Sequence, residues 1–216
     1  MFFPDAGARP VGRKIGFTNR SIWPKYGVHQ PIWGTVYDRT LTLAAEGRAG
    51  VFLDGIAHPR IEPEICFKLR ATPRDASPEN LVAAIEWMAH AAEIVQCPHA
   101  DWKVTLEECG KLNALHAHLV VGAQMPFDAS MASVLPELTV TLLKNGQEVD
   151  RGRGANVLDS PLNALGHLVN LVGGDLRAGE IISTGTLTDA HPVAPGETWT
   201  TRFAGHPLQG LEIRFA

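Results

Sequence analysis

Apolar residues recur at every second position over residues 61–69, where Ile61, Pro63, Ile65, Phe67 and Leu69 fall on one side and Glu62 and Glu64 on the other. A period of two predicts a β-strand with one face in a core. The stretches "HLVVGA", "ETWTTRF" and "GLEIRFA" alternate in the same way. In "TVTLLKNGQEVDRG" an Asn145-Gly146 pair separates two such runs, the pattern of a β-hairpin. Helical spacing replaces alternation in two places. Ser77-Pro78 opens "ENLVAAIEWMAHA", where Leu81, Ile85 and Met88 form a stripe, and Ser160-Pro161 opens "LNALGHLVNLV", with Leu162, Leu165, Val169 and Val172. Gly173-Gly174 ends the second. Strands outnumber helices and pair locally, so the pattern predicts an α+β fold that is mainly antiparallel, not a doubly wound sheet.

Composition narrows the function classes. The 216 residues suffice for a single domain over 1–216, and the 21 glycines and 15 prolines are dispersed, leaving no linker. A net charge of −4 without a basic run argues against nucleic acid as a partner. The apolar runs are too short to span a membrane, and the N-terminus lacks a signal-peptide core. Cys66, Cys97 and Cys109 are odd in number and widely spaced, which predicts reduced thiols and a cytoplasmic location.

The acidic residues carry the candidate chemistry. Glu62 and Glu64 stand two apart on one strand face, and Glu93 lies in the apolar run "HAAEIVQC". Carboxylates so placed must be paired, protonated, solvated or bound to a cation. A hard ion such as Mg²⁺ or Mn²⁺ takes oxygen ligands, and three carboxylates leave coordination positions for a chelating substrate. A solvated strand face and a paired acid/base site stay open as alternatives. Gly152-Arg153-Gly154 lacks the rest of a dinucleotide fingerprint.

Several stretches in order give the chain a resemblance. They are "GRKIGFTN" (12–19), "GVHQPIWGTVYD" (27–38), "RIEPEICFKL" (60–69), "AIEWMAHAAEIVQ" (84–96), "ADW" (100–102), "GRGANVLDSPLNALGHLVN" (152–170) and "GEIISTGTLTDAHPVAPGETWTTRF" (179–203). Together they resemble the fumarylacetoacetate hydrolase superfamily, in its 2-oxopent-4-enoate hydratase and 4-oxalocrotonate decarboxylase group. The resemblance implies a mixed β-roll or sandwich with a few short helices, and homodimers or larger homo-oligomers. It implies Glu62, Glu64 and Glu93 as ligands of Mg²⁺ or Mn²⁺, and a 2-oxo acid substrate handled through a metal-stabilised enolate. Lys14 matches the active-site lysine, with a pKa expected to be lowered by desolvation and the metal. Gly185, Thr186, Pro161 and Leu162 match substrate-contacting positions, with Ser160 as the helix cap. His29 is a candidate for proton transfer, while His116 and His118 share a strand face as candidate ligands.

The chain also departs from that group. Its relatives carry a longer, helical segment before "GRKIG", where only residues 1–11 stand here. Ile32 occupies the place of a proton-handling aspartate, with Trp33 adding bulk beside it, and Leu115 replaces a serine. Asp38 lies nearby but matches another position. Hydration is therefore the default reaction, with acylpyruvate C–C hydrolysis, decarboxylation of a 2-oxo dioic acid, and a catalytically silent small-ligand binder as alternatives.

Overall fold

The computed structural model describes residues 7–216, so residues 1–6 of the N-terminal segment lie outside the described residues. The strands are β1 (Pro10–Gly16), β2 (Ile32–Tyr37), β3 (Leu41–Leu43), β4 (Arg48–Val51), β5 (Arg60–Leu69), β6 (Ile85–Val95), β7 (His116–Pro126), β8 (Thr139–Lys144), β9 (Gln147–Arg153), β10 (Ile181–Thr186), β11 (His191–Pro192), β12 (Thr198–Ala204) and β13 (Glu212–Phe215). The helices are α1 (Trp23–Tyr26), α2 (Pro78–Ala84), α3 (Leu106–Lys111), α4 (Ala129–Val134) and α5 (Pro161–Val172). One sheet runs β2-β1-β10-β5-β6-β7-β3, with β11 also beside β5, and the other runs β4-β13-β12-β8-β9. Pairing is mainly antiparallel, with β1–β10, β3–β7 and β4–β13 parallel. This is the α+β, mainly antiparallel architecture that the alternation predicts. No helix among the described residues is long and apolar enough to cross a membrane.

The local signals with specific backbone chemistry hold. Asn145 and Gly146 have φ of 50° and 81°, left-handed at both central positions of a two-residue hairpin turn between β8 and β9. The Ser160 side chain accepts the Leu162 N–H at the start of α5, and Gly173 ends the helix.

One local expectation is corrected. The helix opened by Ser77-Pro78 stops at Ala84, and residues from Ile85 onward form β6. Ile85 and Met88 are therefore strand residues. β6 lies between β5 and β7 and is buried on both faces, so it has no alternation to announce it. Pairing on both sides outweighs the helical spacing of a short apolar run. Pro63, which has no N–H for a ladder, sits in an interior strand. Its pairing with β6 is continuous through Pro63↔Ala92, and the irregularity is in β10, between Ser183 and Thr186. The Pro63 carbonyl accepts the Leu187 N–H just past β10, so the missing proline donor faces the same break in the ladder.

The odd positions of β5 serve two cores. Ile61 packs with Ala92, Ile94 and Val120 against Leu142, Trp199, Ile213 and Phe215 of the second sheet. Ile65, Phe67 and Leu69 pack with Leu81 of α2 and Leu165 and Leu168 of α5. Burying each such side chain contributes about 1.5–3 kcal/mol. β5 is thus fixed at both ends, and its even face is held rigidly.

Candidate metal centre and active site

Sheet register brings the three carboxylates together. Glu62 is the direct cross-strand partner of Glu93, and Glu64, opposite Ala91, lies on the diagonal. One oxygen from each lies within 4.8 Å of the others. The even face is not solvated: Glu64 and Glu93 are fully buried, and Glu62 opens onto a cavity of about 440 Å³.

Each carboxylate is held differently. Glu64 Oε2 accepts from the Ser183 hydroxyl at 2.5 Å and from the Gly185 N–H at 2.9 Å, whereas its Oε1 has no hydrogen-bond partner. Glu93 Oε1 is bonded to His116 Nδ1 at 2.8 Å, and its Oε2 lies 3.1 Å from Lys14 Nζ. Lys14, from β1, is buried and also donates to the Ala114 carbonyl at 3.0 Å. Ala114 belongs to a run of three non-glycine residues, Asn113, Ala114 and Leu115, with φ of 52°, 51° and 64°. Such strain persists only where its surroundings enforce it. Here the Asn113 side chain pairs with both the N–H and the carbonyl of Thr35 on β2.

Burial and mutual repulsion set the protonation. Burial, helped by Glu93 and partly offset by Lys14, pushes Glu62 up to about 7. Burial, then Glu93 and Glu62, raise Glu64 well above the carboxylate range. Burial would raise Glu93 as well, but Lys14 and His116 together hold it below its ordinary value. For Lys14 the expected lowering belongs to the metal-loaded site, and without a cation the balance is different. Burial does depress the ammonium, but Glu93, Glu62 and Glu64 outweigh it and raise the pKa.

The remaining expectations sort by place. Thr186 lines the cavity, and Gly185, at φ 104°, donates to Glu64, with the Thr18 hydroxyl packed where a Cβ would stand. Ile32 and Leu115 line the cavity, whereas Trp33 points the other way, its ring 4.7 Å from Arg13. Pro161 and Leu162 do not line it. Leu162 and His29 lie on a separate surface cavity with Trp23 and His167. The Leu158 N–H donates to the Thr18 carbonyl, so Leu158, which lines this second cavity just before α5, is tied to Thr18 of the first. Asp38 is ion-paired to Arg9 at 3.1 Å. His116 supports Glu93 and contacts Thr40 at 2.9 Å rather than joining the carboxylate cluster. Sequence reasoning missed Thr18 and Arg60, which line the cavity. Arg60 had a legible signal, since it shares the i, i+2 face with Glu62.

His118 stands apart, bonded to Thr42 Oγ1 at 2.9 Å, and burial pushes its pKa down to about 4. It is harder to protonate folded than unfolded, where the value is about 6.5. Its contribution to stability is therefore full above pH 6.5 and is lost as pH falls toward 4. His90, also held at about 4 by burial, adds to the same trend. His118→Gln should flatten the loss of stability between pH 6.5 and 4 by about 2 kcal/mol in urea titrations. An unaltered slope would remove His118 as a cause.

The oxygen-only donor set and the unpartnered buried Glu64 Oε1 fit a hard divalent cation. Comparison with known proteins agrees in kind. The family model described as fumarylacetoacetate (FAA) hydrolase C-terminal matches residues 27–210. The chain is 33% identical over 199 residues to a 2-hydroxyhexa-2,4-dienoate hydratase of Comamonas testosteroni, covering 89% of this chain and 74% of that protein. It is 30% identical over 207 residues to a 2-keto-4-pentenoate hydratase of Burkholderia vietnamiensis, covering 92% and 76%. The solved 4-oxalocrotonate decarboxylase of Pseudomonas putida, complexed with magnesium and adipate, aligns with a TM-score of 0.85 at 30% identity, over 97% of this chain and 79% of that one.

Proposed function

The chain belongs to the fumarylacetoacetate hydrolase family, and from that membership we propose that residues 1–216 form one catalytic domain in which Glu62, Glu64 and Glu93 hold Mg²⁺ or Mn²⁺. It is a metal-dependent enzyme of the hydratase and lyase kind, acting on a 2-oxo acid. The observation that carries the assignment of the site is Glu64 Oε1, buried and without a partner beside two further carboxylates. A buried carboxylate oxygen left so is costly unless a cation completes it.

A bound divalent ion would supply a Lewis acid for the oxo and carboxylate oxygens of the substrate. The chain's own groups do the rest. Ser183 and the Gly185 N–H fix Glu64 through Oε2 and leave its Oε1 unpartnered, while His116 fixes Glu93 through Oε1 and leaves its Oε2 facing Lys14. Lys14 stays protonated, held by Glu93 and the Ala114 carbonyl at the cavity wall, and is the proton donor within reach of a substrate there. Phe17, Ile32, Val104 and Leu115 give the cavity an apolar stretch of wall that packs with Trp102. Thr186 lines the cavity with its hydroxyl donating to the Thr188 carbonyl at 3.0 Å, a bond that it would exchange for one to the substrate carboxylate.

Hydration is the primary reaction. Ile32 favours a second reading, since an isoleucine in the cavity wall cannot move a proton: decarboxylation of a 2-oxo dioic acid, with acylpyruvate cleavage as the related C–C hydrolysis. A homodimer or larger oligomer and a cytoplasmic location belong to the same proposal. They are supported by the exposed Leu43 and Phe52 and by three buried free thiols. The decisive experiment incubates the Mg²⁺- or Mn²⁺-loaded protein with 2-hydroxypenta-2,4-dienoate, an acylpyruvate and oxaloacetate, and identifies products by mass spectrometry. Gain of one water by the dienoate is expected. Turnover of none of the three, or turnover that survives chelation of the metal, would overturn the proposal.

A further inference from the structure

We propose that Arg60 is a specificity-determining residue of this cavity: its guanidinium takes the far carboxylate of a 2-oxo acid that carries a carboxylate at each end. This rests on the metal-centre reading of Glu62, Glu64 and Glu93 and adds to it the class of substrate.

The other basic side chains near the site are already engaged. Lys14 is paired with Glu93, Arg13 with Glu180 at 3.1 Å, and Arg20 with Asp159 at 2.6 Å. Arg60 lines the cavity, and its side chain makes no ion pair or hydrogen bond among the described residues, although its charge helps to lower the Glu62 pKa. Its guanidinium instead lies 4.2 Å from the centre of the Trp102 ring. Trp102 is itself pinned. Its indole N–H donates to the His58 carbonyl at 3.1 Å, and its backbone is held at φ 58°, a conformation that a bulky residue adopts only under constraint. Asp189, the other anionic group lining the cavity, is exposed and forms no ion pair with Arg60 among the described residues. Half-buried, flat and stacked, with its N–H donors unused, Arg60 is preorganised for a carboxylate, which a guanidinium binds in a bidentate fork.

Position along the strand matches such a ligand. Arg60 and Glu62 project to the same face of β5, and both line the cavity, so the guanidinium stands on the same wall as the carboxylates. The cavity also has an apolar stretch of wall, where Phe17, Ile32, Val104 and Leu115 pack in one cluster with Trp102 beside Arg60. A hydrocarbon middle with a charged group at each end fits this arrangement. Ile32 and Leu115 then serve the middle of the ligand, and the second charge is met by Arg60.

The test compares two ligands with the same chelating head and chain length, 2-oxoadipate and 2-oxohexanoate, by calorimetry on the Mn²⁺-loaded protein. The dioic acid is expected to bind about 10- to 100-fold more tightly, the range for one charge-assisted hydrogen-bonded pair. Arg60→Gln should erase that preference, leaving 2-oxohexanoate and Mn²⁺ affinities within about twofold, and Arg60→Lys should keep part of it. Equal binding of the two acids to the unaltered protein, or a preference that survives Arg60→Gln, overturns the role of Arg60 while leaving the metal centre standing. Equal weakening of both acids in Arg60→Gln also overturns it, because Arg60 would then only support Trp102. Should Arg60→Gln not fold, Arg60→Lys and the unaltered protein decide, and a preference undiminished in Arg60→Lys counts against the proposal. Mn²⁺ binding is measured first and alone. Its absence overturns the metal centre, and this proposal with it.

Discussion

Glu64→Gln is expected to raise the melting temperature of the metal-free protein while abolishing the further rise that Mn²⁺ or Mg²⁺ brings. The two changes have opposite signs because one carboxylate has opposite effects in the two states. Without a cation, Glu64 is a third buried acid beside Glu62 and Glu93, and burial and those neighbours push its pKa well up. A glutamine carbonyl can keep both anchoring hydrogen bonds, from the Ser183 hydroxyl and the Gly185 N–H. Its amide nitrogen then takes the place of the unpartnered Oε1, where it becomes a donor facing carboxylates. The expected gain is about 1–3 kcal/mol, or about 2–12 °C in Tm for a chain of this size. With the cation, the same amide presents N–H groups where a ligand oxygen is needed. Affinity should fall well beyond the roughly 10–100-fold that loss of a hydrogen bond to a ligand costs, and activity with it. Thermal melts with EDTA and with Mn²⁺ check both halves. A metal-induced shift that survives would remove Glu64 from the ligand set. A lower metal-free Tm would show that the carboxylates do not repel as described.

Lys14→Met should behave in the reverse sense. Methionine keeps the buried stem and deletes the ammonium that lies 3.1 Å from Glu93 Oε2. Breaking one side of a buried ion pair costs about 3–5 kcal/mol because the remaining charge is stranded. The metal-free protein should therefore lose about 6–20 °C in Tm. A divalent ion would neutralise Glu93 in place of Lys14, so the metal-induced rise should be larger than in the unaltered protein. Turnover should nevertheless fall by about 10²–10⁴, the range for loss of a positioned proton-transfer group. Stability restored by metal without restored turnover would separate the two roles of Lys14. Full turnover in Lys14→Met would show that the lysine only balances charge.

The sequence by itself determined the elements whose signals are local. Ser160-Pro161 and Gly173 bound a helix because a capping side chain, a fixed proline φ and a left-handed glycine act within a few residues. Asn145-Gly146 specified its turn for the same reason. Alternation along residues 61–69 put Glu62 and Glu64 on one face without reference to any neighbour. Only the tertiary structure decided the rest. Strand β6 could not be read, because burial on both faces erases alternation and pairing with β5 and β7 overrides its helical spacing. That same pairing, Glu62↔Glu93, made three separated acids into one cluster. Lys14 reached them through the parallel pairing of β1 with β10, and Ala114 through a strained turn with no propensity signal. The pKa of Lys14 turned on which charges surround it, a long-range quantity that its sequence neighbours do not carry. Side-chain period is a property of one strand; electrostatic field and register belong to several at once, and the candidate site is built from register and field.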